Sequence, residues 1–319
     1  MRRLTTLSLV VAAALATPAS ALAHGDRVPV DELASAWRFE IAPIVASLVV
    51  FALFAQAWLR LRRRGRPDHA SWKHAVLFTS GVLIALLALI SPLDAMGEEY
   101  LLLAHMGQHQ LLLDVSPALI MLGLRGPIGV FLLPAPVLRP LAGNRAVRAV
   151  FRVVTSWWVA VVLFVAVIAT WHVPSMYEAA LETQWIHDLE HLSFAVAGAL
   201  LWLQLVDPAR RGTLSRTARA VLALGALAAV HLIVHPILLT GGVRYKVYEL
   251  QDERLGGLSP LADQHWAAVF MTVEEVLILG AAIIILAWPA LVRATAPRPP
   301  DEPEPEQAAE AGPGPGSAS

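Results

Sequence analysis

Residues 218–239 read ARAVLALGALAAVHLIVHPILL, a run in which Arg219, near the start, is the only residue with a permanent charge. About 20 consecutive apolar residues cross the hydrocarbon core of a bilayer as a helix, because no water is present there to satisfy an open backbone. The run therefore predicts a transmembrane helix. Two histidines four residues apart, His231 and His235, interrupt its apolar character. Pro236 follows them and predicts a kink, because proline lacks a backbone N–H.

Six further runs of the same kind lie on either side of this one. With it, they occupy residues 41–59, 75–93, 101–124, 151–171, 187–206, 218–239 and 266–292. The composition agrees, since 57% of the 319 residues are hydrophobic and only 15% are charged, whereas about 25% are charged in a soluble domain. The sequence predicts an all-α integral membrane protein, a seven-transmembrane helix bundle.

The basic residues predict the orientation of this bundle. Cytoplasmic loops of membrane proteins carry an excess of lysine and arginine. Seventeen of the 24 basic residues fall on the side that contains the loops after the first, third and fifth predicted helices and the C-terminal tail, and five fall on the other side. This distribution places the N-terminus outside and the C-terminus in the cytoplasm. The net charge of −1 gives no indication of a nucleic-acid partner.

Both ends of the chain lie outside the predicted membrane domain, which spans residues 41–293. Arg2 and Arg3, an apolar stretch and then Ala21-Leu22-Ala23 are typical of a secretory signal peptide, residues 1–23. An uncleaved anchor helix is the alternative. Residues 24–40 would form a short extracytoplasmic segment. Residues 294–319, rich in proline, glutamate and glycine, predict a disordered cytoplasmic tail.

Nine of the eleven histidines fall towards the non-cytoplasmic end of this predicted bundle. Three pairs have i, i+4 spacing, which puts two imidazoles on one face of a helix. The nine are His24, His105, His109, His172, His187, His191, His231, His235 and His265. Any single pair is also explained by hydrogen bonds to water and headgroups. Three pairs at one depth favour a metal site, because polar residues inside membranes are costly and usually functional.

The donor types predict copper. The chain has no cysteine, so a metal would be held by histidine, methionine, carboxylates or backbone groups. Imidazole suits copper, zinc, iron and nickel, and the thioethers of Met106 and Met176 favour Cu(I). Plain packing is the alternative for each methionine. If cleavage follows Ala23, the free amine and imidazole of His24 form a chelate that favours Cu(II).

Four carboxylates accompany the histidines. Glu190 lies within His187-Asp188-Leu189-Glu190-His191 and is placed either to orient an imidazole or to favour the helix dipole. Asp114, Glu274 and Glu275 lie deeper, in the third and seventh predicted helices. For these three, metal binding, proton transfer and pairing with an arginine are all open.

Two blocks of sequence resemble the CtaG family of cytochrome c oxidase assembly factors, the polytopic type tied to caa-type oxidases. The first is His105-Met106-Gly107-Gln108-His109-Gln110-Leu111-Leu112, which leads to Ser116-Pro117-Ala118; the second is WHVPSMYEAAL at 171–181, followed by HDLEH at 187–191. The resemblance covers residues 40–290, although the sequence after Asp263-Gln264 departs from the family's glycine-rich pattern.

This resemblance implies a protein of the bacterial inner membrane that assists the metallation or assembly of a haem-copper oxidase and does not itself catalyse a reaction. Cytochrome c oxidase subunits and other copper chaperones are the partners it implies.

Two enzymatic alternatives use the same histidines. One is a membrane di-iron oxidoreductase, but such proteins commonly contain adjacent His-His pairs facing the cytoplasm, and this sequence contains none. The other is a protein that binds haem through histidines on facing helices. Without cysteine that haem would be non-covalent. A Soret band would distinguish haem from a colourless Cu(I) site.

Overall fold

The computed structural model describes residues 28–251 and 253–295, and its regular structure is helical. The predicted signal peptide, His24 and most of the predicted C-terminal tail lie outside the described residues. In chain order the α-helices are α1 (Ile41–Arg63), α2 (Trp72–Ile90), α3 (Pro92–Glu99), α4 (Leu102–Gln110), α5 (Ser116–Gly123), α6 (Ile128–Phe131), α7 (Ala135–Gly143), α8 (Arg145–Val154), α9 (Trp157–Trp171), α10 (Pro174–Glu182), α11 (Gln184–Val206), α12 (Arg216–Leu239), α13 (Lys246–Glu249) and α14 (Pro260–Thr295). Short 3₁₀ turns lie at Val30–Ser35, Pro67–His69 and Leu255–Gly257, and a π-helical turn lies at Leu111–Val115.

Several of these helices are long and apolar enough to cross a membrane, as a multi-pass membrane protein requires. Within the described residues the candidates are α1, the segment Pro67–Ile90 that contains α2, α11, α12 and α14. A sixth is the pair α8 and α9, which meet at a bend of 54°. Large apolar side chains on their outer faces are exposed, among them Leu232 and Ile41 at 76% and 74%. Such faces suit contact with lipid.

The second predicted helix is shorter than its apolar run. Sequence analysis extends it to residue 93, but α2 ends at Ile90 and a separate helix, α3, begins at Pro92. Ser91 lies between them, and its Oγ accepts a hydrogen bond from the N–H of Leu93. Serine is a favoured N-cap residue and proline is favoured in the first turn, so this pair starts a new helix. The break is important because α3 then covers the histidine-bearing end of α4.

The third predicted helix is broken into α4, the π turn and α5. Pro117 offers no N–H to the carbonyl of Leu113, so the α-helical ladder is interrupted there. That carbonyl lies against Gly198 of α11, where an added Cβ would be only 1.9 Å from the oxygen of Leu113. Asp114, within the π turn, accepts a hydrogen bond of 2.9 Å from the indole of Trp202. π turns of this kind are frequent at functional sites.

Two contacts fix the first turn of α4. Asp263, at the start of α14, accepts hydrogen bonds from the backbone N–H groups of Leu102 at 2.7 Å and Leu103 at 3.0 Å. These groups have no partner within their own helix, so Asp263 acts as a cap supplied from a distant part of the chain. On the other side, Gly97 of α3 is so close that a Cβ there would lie 2.9 Å from the Cα of His105. The helix is therefore held between α3 and α14.

Candidate metal centre

Four imidazoles and one carboxylate meet between α4 and α11. His105 and His109 come from α4, and His187, Glu190 and His191 come from α11; we refer to these five residues as the histidine cluster. Within each helix the i, i+4 rings are adjacent, with centroids 4.3 Å apart in α4 and 4.1 Å apart in α11. Across the two helices His105 lies 5.4 Å from His187, and His109 lies 5.4 Å from His191. Every member is buried.

Most of the nitrogen and oxygen atoms of the histidine cluster that could bind a metal have no hydrogen-bond partner among the described residues. They are the Nε2 atoms of all four histidines, Nδ1 of His109 and both carboxylate oxygens of Glu190, all shielded from solvent. A buried polar group without a partner costs about 1–3 kcal/mol. Seven such atoms in one place indicate a site that is completed by another species, and imidazole nitrogens with a carboxylate suit a metal ion.

The spacing around Glu190 fits such an ion. Its Oε2 lies 3.7 Å from Nε2 of His105, and its Oε1 lies 3.6 Å from Nε2 of His109. These separations are too long for hydrogen bonds. Two donors that each lie about 2.1 Å from one ion are at most about 4.2 Å apart, so the same separations are compatible with shared ligation. Among the described residues, three sets have possible ligand atoms within 4.8 Å of one another: His105/His109/His191, Asp94/His187/His191 and His105/His187/Glu190.

A layer of charged residues from α3 supports the cluster. Glu98 places its Oε1 2.8 Å from Nδ1 of His187. Arg38 in turn contacts Glu98, Asp94 at 3.1 Å and Glu99 at 2.6 Å. A carboxylate on one ring nitrogen of a histidine fixes the ring and leaves the other nitrogen for a metal. His187 has this arrangement, because its Nδ1 contacts Glu98 and its Nε2 has no hydrogen-bond partner among the described residues.

The two carboxyls of this layer differ in their pKa. Burial raises the pKa of Asp94 to about 6, and the negative charge of Glu98 adds to the effect. Burial acts in the same direction on Glu98, but the hydrogen bond and charge of His187 and the charge of Arg38 outweigh it and lower the pKa of Glu98 to about 2. Glu98 is thus the carboxylate that stays ionised beside the cluster.

Tyrosine hydroxyls close another side of the histidine cluster. The hydroxyl of Tyr248 donates to the carbonyl of Gly97 at 2.6 Å and lies 3.5 Å from Nδ1 of His105. The hydroxyl of Tyr177 lies 2.8 Å from that of Tyr248. Because the one proton of Tyr248 goes to Gly97, Tyr177 is the donor in this pair. The tyrosines thereby connect α10 and α13 to the backbone of α3 beside the site.

His172 ends α9 with a fixed tautomer. Its Nδ1 lies 2.9 Å from the carbonyl of Ile168, so Nδ1 carries the proton and Nε2 has the lone pair. That Nε2 atom is shielded and has no partner in the described part of the chain. His172 does not belong to the three donor sets above.

His231 and His235 form a second group, with ring centroids 4.6 Å apart. Nδ1 of His231 lies 2.8 Å from the carbonyl of Leu227 and 3.7 Å from Glu275, while Nε2 of His235 lies 2.6 Å from Oγ1 of Thr272. Both rings therefore contact α14, and α12 continues through Pro236 to Leu239.

The deeper carboxylates lie in the same region. The amide of Gln110 donates to Glu274 at 2.9 Å and to Glu275 at 3.2 Å. Through Gln110 this polar group reaches the end of α4, the helix that also carries His105 and His109.

Three other predicted ligands lie in different surroundings. Met106 is buried and belongs to the main apolar core, and Met176 is 43% exposed. His265 is partly buried near the start of α14, and its Nε2 is shielded without a hydrogen-bond partner among the residues described.

Sequence reasoning missed the carboxylates of α3. The stretch SPLDAMGEEY at 91–100 holds Asp94 and Glu98 four residues apart, the spacing that places two side chains on one helix face. Its position in a predicted outer loop concealed that pattern. The arginine that joins them, Arg38, lies before the first long helix and gives no local signal of its partners.

A protein-family profile matches the part of the chain that contains the candidate metal centre. A profile described as cytochrome c oxidase caa3 assembly factor (Caa3_CtaG) matches residues 52–292, which is 241 of the 319 residues. Comparisons with curated proteins and with solved structures give no match. The matched range contains the complete histidine cluster, its α3 carboxylates and the second histidine pair. The chain therefore belongs to the family of caa3 cytochrome c oxidase assembly factors.

Proposed function

We propose that the protein binds copper at the histidine cluster, on the extracytoplasmic side of the membrane, and supports metallation of a caa-type cytochrome c oxidase. The family match supplies the connection to the oxidase. The observation that supports a bound metal is the cluster of four buried imidazoles and Glu190. Most of their nitrogen and oxygen atoms have no hydrogen-bond partner among the described residues. The role is that of an assembly factor, with oxidase subunits and other copper chaperones as partners.

The donor set supports copper in its divalent form. Imidazole nitrogens with a carboxylate oxygen are ligands that Cu(II) accepts, and Cu(II) has the highest affinity in the series of divalent metals. Met106 and Met176 would add softer thioether ligands for Cu(I). The burial of Met106 in the apolar core and the exposure of Met176 give less support to that alternative.

The proposed topology has seven spans, with the broken segment Leu102–Gly123 as the third. The π turn interrupts this segment, and Gln108 and Asp114 are buried polar residues within it. For these reasons it is not one long, apolar helix like the other spans. With the N-terminus outside and the C-terminus in the cytoplasm of a bacterial cell, the first turns of α4 and α11 face the extracytoplasmic side. The histidine cluster would then be reached from the compartment outside the inner membrane.

A non-haem iron oxidoreductase is the second candidate. The mixture of histidines and carboxylates in the donor sets that include Glu190 or Asp94 is the observation that favours it, because iron also accepts such ligands. Metal analysis of the purified protein separates iron from copper, and its visible spectrum tests for haem.

A deletion strain grown at low copper tests the function. We expect its cytochrome oxidase to be poorly assembled or copper-deficient, and added copper to restore it in part. Re-expression of the wild-type protein or of the His69→Ala variant should restore the oxidase, whereas the variant with alanine at His105, His109, His187 and His191 should not. Normal oxidase copper content in the deletion strain would contradict the proposal.

A further inference from the structure

A cavity of about 870 Å³ lies at the opposite end of the bundle from the histidine cluster. Its walls come from the π turn and α5, the last residues of α11, the turn after it, the first residues of α12 and the second half of α14. Along α11 the distance from His187 to Val206 is about 28 Å at 1.5 Å per residue. The cavity is therefore separate from the candidate metal centre.

The lining of this cavity is amphipathic. Leu119, Leu205, Ile278 and Ile285 are among the apolar residues that line it. Four arginines also line it, at the end of α5, in the turn after α11 and in the first turn of α12: Arg125, Arg210, Arg216 and Arg219.

Within the described residues, no carboxylate pairs with the arginines of this lining. Among the described residues, Asp207 is the only acid that lines the cavity, and its carboxylate accepts hydrogen bonds from the backbone N–H groups of Arg211 at 2.9 Å and Gly212 at 3.0 Å. Arg125, Arg210, Arg216 and Arg219 form no ion pair with the described residues.

One of the four arginines also has an unused donor. Arg219 donates from Nη1 to the carbonyl of Leu205 at 3.4 Å, but its Nε is shielded from solvent and has no acceptor among the residues described. A buried guanidinium donor without an acceptor is costly. An anionic group in the cavity would provide one.

We propose that this cavity binds an anionic phospholipid, with its phosphate at the arginines and its acyl chains along the apolar wall. A free phosphate ion would match the arginines but leave the apolar walls unfilled. A neutral lipid would match the walls but leave the charges uncompensated. In the topology proposed above, the cavity lies at the cytoplasmic face, and basic pockets between helices on that side bind acidic lipid headgroups. The proposal does not depend on the metal.

Native mass spectrometry of the delipidated full-length protein tests it, with phosphatidylglycerol and phosphatidylcholine as the added lipids. We expect one phosphatidylglycerol molecule to bind at least tenfold more tightly than phosphatidylcholine. The double variant Arg125→Gln/Arg216→Gln should lose roughly tenfold in affinity for phosphatidylglycerol. Arg139 and Arg145 are exposed and do not line the cavity, so Arg139→Gln/Arg145→Gln is the matched control and should bind as the wild type does.

A second variant tests the apolar half of the site without altering charge. Ala282 lines the cavity, and Ala282→Phe should lower phosphatidylglycerol affinity while the melting temperature stays within a few degrees of the wild type. Three results would overturn the proposal. They are equal binding of the two lipids, an equal loss in the control variant, and displacement of the bound lipid by millimolar inorganic phosphate.

Discussion

The Nδ1 atom of His187 lies 2.8 Å from the Oε1 atom of Glu98, and Arg38 contacts the same carboxylate. This contact links the histidine cluster to a helix that contributes no histidine. It fixes the orientation of one imidazole through Nδ1, and the Nε2 atom of that ring has no hydrogen-bond partner among the described residues. The cluster is therefore organised by charge from α3 as well as by the spacing of the histidines.

Glu98→Gln should weaken copper binding without unfolding the protein. The amide keeps the shape of the side chain but removes the charge that orients His187, and the loss of such outer contacts typically costs 10–100-fold in metal affinity. Titration with Cu(II) against a competing chelator measures the effect. Glu182→Gln, at an exposed position on α10, is the control. Equal affinities in the two variants would show that Glu98 does not position the site.

Gly198→Ala should destabilise the protein. The added Cβ would lie 1.9 Å from the carbonyl oxygen of Leu113, so α11 and the π turn would have to separate, at a cost on the order of 1–3 kcal/mol. Gly225 lies inside α12 and has open space where its Cβ would be. Gly225→Ala should therefore be neutral, or stabilising by up to about 1 kcal/mol. Thermal unfolding in one detergent compares the two, and similar melting temperatures would contradict this packing.

Asp263→Ala should remove the cap on α4. Both of its oxygens accept hydrogen bonds from the first turn of that helix, and loss of a capping side chain typically costs about 1 kcal/mol. A lower melting temperature together with weaker copper binding is expected, because α4 carries His105 and His109. The exposed Asp188 provides the control, Asp188→Ala. A variant at Asp263 with both properties unchanged would be evidence against this role.

The sequence predicted the helices and much of the candidate site because both depend on local patterns. Apolar runs gave α1, α2, α11, α12 and α14, and i, i+4 spacing gave the two histidine pairs that meet. The i, i+4 spacing shows which residues share one face of a helix, but it does not show which other helix packs against that face. For this reason His231 and His235 could not be distinguished from the other pairs, although their rings contact α14 through Thr272 and lie near Glu275.

The remaining features depend on contacts between distant segments. Glu98 reaches His187 only because α3 folds back over α4, and Asp263 caps α4 from more than 150 residues away in the chain. The break in the third helix follows from Pro117 and from the packing of the Leu113 carbonyl against Gly198, and hydropathy reveals neither. Whether a residue such as Met106 lies in the apolar core or beside the imidazoles is likewise decided by packing.

Copper stoichiometry of purified variants tests the central claim most directly. The variant with alanine at His105, His109, His187 and His191 is compared with His69→Ala/His74→Ala, which removes two histidines at the other end of the bundle, and folding is checked by thermal unfolding. We predict that the wild type and the control bind copper equally, and that the fourfold variant, although folded, loses it. Copper bound at wild-type stoichiometry by the folded fourfold variant would contradict the account.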